Sequence, residues 1–215
     1  AYGDSPVAFL LGNLLAYLET RQTHQFAALV RHPDVSAWLG QQGVDPLWLL
    51  ALDKYISEHL PTSLGHWLGS EDRSAPVRKV YDLVEASISP LLGPARVAGE
   101  WAEPLVEWLL NLNAHREFDP DSPADAAALT AFEKFYRAID SLNNLPESLA
   151  PAVNAAQALR LALGQVEHAG LLGVVAVALG TGQHGVVVGH HRAGGPVLTH
   201  QRAVDPAEPG DEAVG

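Results

Sequence analysis

Between residues 1 and 168 the apolar residues recur every three or four positions, and the recurrence is broken by prolines standing just inside a serine or an aspartate. Such spacing places apolar side chains on one face of a helix, and a proline at a first helical position costs no hydrogen bond. The combination confines this part of the chain to short, well-bounded helices. Ser5-Pro6 starts one over about 6–20, with Phe9, Leu10, Leu14, Tyr17 and Leu18 at helical spacing. A second, near 23–31, turns Phe26, Ala27 and Val30 inward, and Pro33 ends it before a short helix holding Trp38 and Leu39.

Asp45-Pro46 begins the next, with Leu49, Leu52, Ile56 and Leu60 on one stripe and Pro61 closing it. Ser74 reads as a cap with Pro76 just inside, followed by Val77, Val80, Val84, Ile88 and Leu91. Trp101, Leu105, Trp108, Leu109 and Leu112 mark another face. Ser122-Pro123 starts a helix with Asp125 in its first turn, near the positive end of the dipole, and Leu129, Phe132, Phe135, Tyr136, Ile139 and Leu142 as its stripe. Pro146 and Pro151 separate it from a last helix near 152–168. No segment alternates as a strand does, so the expectation is an all-α array of about eight helices packed in pairs.

The pattern stops near residue 168. Of 19 glycines, ten lie beyond that point, whereas no aromatic residue follows Tyr136 and no lysine follows Lys134. Such a stretch has little to bury and much backbone entropy to lose, so 169–215 reads as a low-order tail, at most a marginal hairpin of 174–179 with 186–188. Two units are therefore expected, a helical domain over 1–168 and the tail over 169–215. The longest apolar run, Leu171 to Leu179, is too short for a membrane helix, and the first residues lack a basic leader, so a cytoplasmic chain without a membrane is expected. The absence of methionine, position 1 included, reads as a piece of a longer protein.

Composition excludes several chemistries. Without cysteine there is no disulfide, thiolate nucleophile, zinc finger or cysteine-held iron–sulfur cluster. A net charge of −12 opposes direct grip on a nucleic-acid backbone, which needs clustered Lys and Arg. Gly180, Gly182 and Gly185 are spaced as in a dinucleotide-binding turn, but Gly189, Gly194, Gly195 and Pro196 leave no room for the helix whose N-terminus would hold the pyrophosphate. Asp205 sits at the distance of a ribose-binding acid with no strand before it.

His184, His190, His191 and His200 offer no i, i+4 pair for a metal. Asp119, Asp121 and Asp125 resemble a calcium loop but lack its glycine and distal glutamate, and a capped helix start accounts for them. Pro33-Asp34 reads as a helix N-terminus, since no acid-x-Lys strand follows. Lys54, Lys79 and Lys134 lie on helices, outside any phosphate loop. Trp38, Trp48, Trp67, Trp101 and Trp108, spaced among leucines, read as core or interface anchors rather than base-stacking platforms. No catalytic, cofactor-binding or metal-binding residue is assigned, and no cofactor is expected.

The phrases "FAALVRHPDVSAWLG" (26–40), "LDKYISEHLPTSLG" (52–65), "EWAEPLVEWL" (100–109) and "LPESLAPAVNAAQALRLAL" (145–163) occur in order. Together, over about 26–166, they resemble the central helical region of AddB-like proteins, the PD-(D/E)XK nuclease family related to bacterial helicase–nuclease subunits of double-strand-break repair. The resemblance implies a long parent with a helicase-like body and a C-terminal nuclease domain. Its partners would be the remainder of that parent and its partner subunit, with DNA reached through the parent. The phosphate loop, nuclease motif and cluster cysteines are absent here, so no catalytic residue carries over. Departure begins near 168, where non-native, out-of-frame sequence would explain the change. The alternative is a free-standing α-helical interaction module that uses its tryptophan and leucine faces.

Overall fold

The computed structural model describes residues 5–144 and 152–166. The helices are α1 (Pro6–Thr20), α2 (Thr23–Val30), α3 (Pro33–Gln41), α4 (Trp48–His59), α5 (Glu71–Ile88), α6 (Ala102–Asn113), α7 (Pro123–Ser141) and α8 (155–166). The fold is all-α, and consecutive helices pack on each other, α1 on α2 and α4 on α5, while α3 meets α6 and α1 meets α7. One apolar core runs through them from Val7 to Val166.

Several starts follow the capping logic. Ser5 Oγ accepts from the Ala8 N–H at 3.1 Å, with Pro6 in the first turn of α1. Asp45 Oδ1 accepts from Leu47 N–H at 2.7 Å and so prepares α4, which begins at Trp48 rather than at Asp45-Pro46 itself. Ser122 and Pro123 open α7 as read. Ser74 does not open α5. That helix starts at Glu71 after Ser70, and Ser74 is buried inside it, its hydroxyl donating to the Ser70 and Glu71 carbonyls at 3.3 and 3.1 Å. Pro76 therefore lies within the helix, where it has no N–H for the carbonyl four residues back.

The inward stripes of α2, α5 and α6 are the expected ones, whereas those of α1, α4 and α7 are only partly so. Phe9, Leu49, Leu60, Leu129 and Tyr136 are exposed. Of the expected residues Leu10, Leu14 and Tyr17 of α1, Leu52 of α4, and Phe135, Ile139 and Leu142 at the end of α7 are buried, joined by Val7 and Leu11, by Trp48 and Tyr55, and by Ala128, Ala131 and Ala138. In α7 the small alanines permit close helix approach, and that contact outweighs the gain from burying the larger side chains one position away.

Two corrections concern the C-terminal end. Ala152–Val153 is a short strand, β2, antiparallel to β1 (Arg96–Val97), with Arg96 opposite Val153 and Val97 opposite Ala152. Helix α8 starts after it. Asn154 Oδ1 accepts from Gln157 N–H at 2.9 Å while Gln157 Oε1 accepts from Asn154 N–H at 3.0 Å, a reciprocal cap. Trp101 fastens this corner: its indole N–H donates to the Val153 carbonyl at 2.8 Å, and the Arg96 guanidinium stands 3.7 Å from the ring centre. Gly99 is required beside it, because a Cβ there would lie 2.8 Å from Asn143 Cα.

Candidate functional site

The densest polar cluster joins the end of α1 to the middle of α5. Arg21 caps α1 in the left-handed region, φ 55°, which turns its side chain back over the helix it ends. Its guanidinium lies 4.4 Å from the Tyr17 ring centre and pairs with Glu85 Oε2. Tyr17 O–H donates to the other oxygen of Glu85 at 2.6 Å. Burial, reinforced by the hydrogen bond to Glu85 and by its charge, pushes the Tyr17 phenol far above its ordinary value of 10.0. Tyr81 is raised by burial and by the same carboxylate. Both phenols are thereby held neutral at physiological pH, and Glu85 is engaged on both oxygens. This is a junction between helices rather than an acid–base pair open to substrate.

From it an aromatic row leads along the molecule. Tyr17 meets Phe26 at 5.5 Å between ring centres, Phe26 meets Tyr81 at 5.8 Å, Tyr81 meets Trp67 at 5.5 Å, and Trp67 meets Tyr55 at 5.7 Å. The loop before α5 closes over the row. Gly65, at φ 103°, brings the backbone so near Tyr81 that a Cβ would lie 3.0 Å from its hydroxyl. Leu68 N–H donates to the Tyr55 hydroxyl at 3.1 Å.

A second cluster surrounds Arg116. Its guanidinium pairs with Asp125 and lies 3.8 Å from Asp34, and Asp125 Oδ2 also accepts from Asp119 N–H at 3.1 Å. That backbone hydrogen bond, with the arginine second, holds the Asp125 carboxyl below its ordinary value of 3.8. Asp121 N–H donates to Asp119 Oδ1 at 2.9 Å. The Asp119 and Asp125 carboxylates of the "DPDSPAD" run thus secure the start of α7. Asp34 is in the first turn of α3, as expected for a helix N-terminus. Sequence reading missed the neighbouring His32: buried, it accepts from Asp34 N–H through Nδ1 at 3.3 Å, and its Nε2 lies 3.0 Å from the Pro6 carbonyl. The ring therefore carries its proton on Nε2 and works as a cap, a role for which histidine is an uncommon choice.

Of the five tryptophans, Trp48, Trp101 and Trp108 are buried, and Trp38 and Trp67 pack against the core while partly exposed. Trp38 and Trp108 meet Gln42, Ser87, Asn111 and Leu112 around a concavity of about 320 Å³, where the Trp108 indole N–H donates to Ser87 Oγ at 3.4 Å. A more open groove of about 470 Å³ runs along α5 between Glu71 and Leu83. Lys79 donates to the Gly43 carbonyl at 2.6 Å, and Lys54 lies 3.8 Å from Glu58. The glycines Gly180, Gly182 and Gly185, with His184, His190, His191, His200 and Asp205, lie outside the described residues. Among the described residues no three His, Asp or Glu side chains could hold a metal ion, and no helix is long and apolar enough to cross a membrane.

Exposed leucines are a further feature of this surface. Leu47 and Leu50 are each 67% exposed and Leu60 80%, all on or beside α4, with Leu110 at 64% on α6. No family model, no curated protein and no solved structure matches this chain.

Proposed function

We propose that the chain is a non-catalytic helical segment of an AddB-like helicase–nuclease protein, a packing and arm-positioning module in DNA end processing and double-strand-break repair, working in the cytoplasm. The observation that carries this reading is the use made of its charges. Arg21–Glu85 ties α1 to α5, Arg31–Asp53 ties the end of α2 to α4, Arg160–Glu19 ties α8 to α1, and Arg116 joins the starts of α3 and α7. Side chains bound in this way link neighbouring helices into one scaffold. DNA and the partner subunit would be engaged by the rest of the parent, since the charge of −12 repels a phosphate backbone.

The decisive experiment is to read the genomic frame on both sides of this chain. Helicase and PD-(D/E)XK motifs flanking it are the expected result. A frame that opens and closes around these residues without them would overturn the reading. The alternative, a free-standing interaction module, draws support from the exposed leucines of α4 and α6.

A further inference from the structure

We propose that the concavity between α3, α5 and α6 is a binding site for a single neutral sugar ring. Three helices bring it together: α3 supplies Trp38 and ends at the Gln42 cap, α5 supplies Ser87, and α6 supplies Trp108, Asn111 and Leu112. Its volume of about 320 Å³ stands at the lower end of small-molecule sites, which limits the occupant to one ring rather than a chain of rings.

The chemistry of the lining selects that occupant. Trp108 and Leu112 are buried and give the concavity an apolar inner wall, and Trp38 beside them is partly exposed. None of the six residues is charged, so a nucleotide would bring its phosphates to a wall without a cation, on a chain of net charge −12. Ser87 is already engaged, its hydroxyl donating to the Val84 carbonyl at 2.8 Å and accepting from Trp108. The Trp38 indole N–H and the Gln42 and Asn111 amides, by contrast, have no hydrogen-bond partner among the described residues, and none of them is sealed from solvent. A side-chain amide sets a donor and an acceptor side by side, and each sugar hydroxyl both donates and accepts. The C–H face of the same ring is apolar and packs on an indole. A purely apolar ligand would leave these polar groups unpaired, whereas a hydroxylated ring uses both kinds of surface and needs no counter-ion.

Titration of the nitrogen-15-labelled full chain with methyl glucoside, methyl galactoside, methyl mannoside and N-acetylglucosamine tests this, since each of the five tryptophans gives its own indole N–H resonance. At least one of these sugars should shift the Trp38 and Trp108 resonances with a Kd in the millimolar range and leave those of Trp48, Trp67 and Trp101 in place. Gln42→Ala and Asn111→Ala, both at exposed positions where circular dichroism should be unchanged, should each weaken binding about fivefold. Trp38→Ala should abolish it, and if that variant loses its helical signal the two amide variants decide. Acetylprolinamide and uracil, uncharged rings from a peptide and a base, should leave both resonances unmoved. No shift with any of the four sugars up to about 100 mM, an equal response to acetylprolinamide or uracil, or binding indifferent to both amide variants would overturn the proposal.

Discussion

Tyr17 and Asp125 are ionisable groups whose titration the fold has moved in opposite useful directions. The Tyr17 phenol is raised above 10.0, first by burial and then by Glu85, so the folded state holds its proton more tightly than the unfolded chain does. Its contribution is fully present below pH 10 and is lost as pH rises beyond that value. Tyr17→Phe should therefore flatten the alkaline limb of stability against pH, while at neutral pH it forfeits a hydrogen bond to a carboxylate, about 1.5–3 kcal/mol. Urea unfolding at a series of pH values reads both effects, and an unchanged alkaline limb would refute the assignment. For Asp125 the sign reverses. Its carboxyl is held below 3.8 by the Asp119 N–H and then by Arg116, so its contribution is complete above pH 3.8 and fades as pH falls through the folded value. Asp125→Asn should be less stable than the parent near neutrality, and the two curves should converge in acid.

The elements show which local signals carry through to the fold and which are overridden. Where the flanking turn chemistry and the stripe agree, as at Ser5-Pro6 and Ser122-Pro123, helix starts were legible in the sequence. Ser74 misled because a serine two residues before a proline looks like a cap, although its hydroxyl serves carbonyls within the same helix. The outward turn of Leu49 and Leu60 beside α4 and of Leu129 and Tyr136 in α7 could not be read locally. Whether Leu129 or Ala128 faces inward depends on how near the neighbouring helices come, which is a property of the assembled core. The strands β1 and β2 are two residues each and too short to alternate. The N-x-x-Q signature of the α8 cap, by contrast, was present and unread. Asn154→Ala removes the side-chain acceptor for Gln157 N–H and should cost about 1 kcal/mol in thermal or urea unfolding. An Asn154→Ser variant, which keeps a hydroxyl acceptor, should recover most of it.

At the scale of the whole molecule the core is closed by α8. Ala155, Ala158, Leu159, Ala162 and Val166 are buried in it, Arg160 reaches back to Glu19 of α1, and Ser141 of α7 donates to Gln165 at 2.6 Å. Helix α8 is thus bound to α1 and α7, and among the described residues the core runs from Val7 to Val166. This distribution makes two truncations differ sharply. Removing 169–215 takes away none of these side chains, so the midpoint and cooperativity of thermal unfolding should be unchanged. Removing 155–215 deletes Leu159 and Val166 and the alanines between them, uncovers the apolar side chains of α1 and α7, and breaks the Glu19 and Ser141 contacts. Burial of a single large apolar side chain contributes about 1.5–3 kcal/mol, and a domain of this size has only about 5–15 kcal/mol in total, so the shorter chain should lose cooperative unfolding altogether. Paired thermal scans of the two truncations by circular dichroism make the comparison. Equal destabilisation by both would mean that residues beyond 168 contribute to the same core, and the expected division of the chain at that point would then fail.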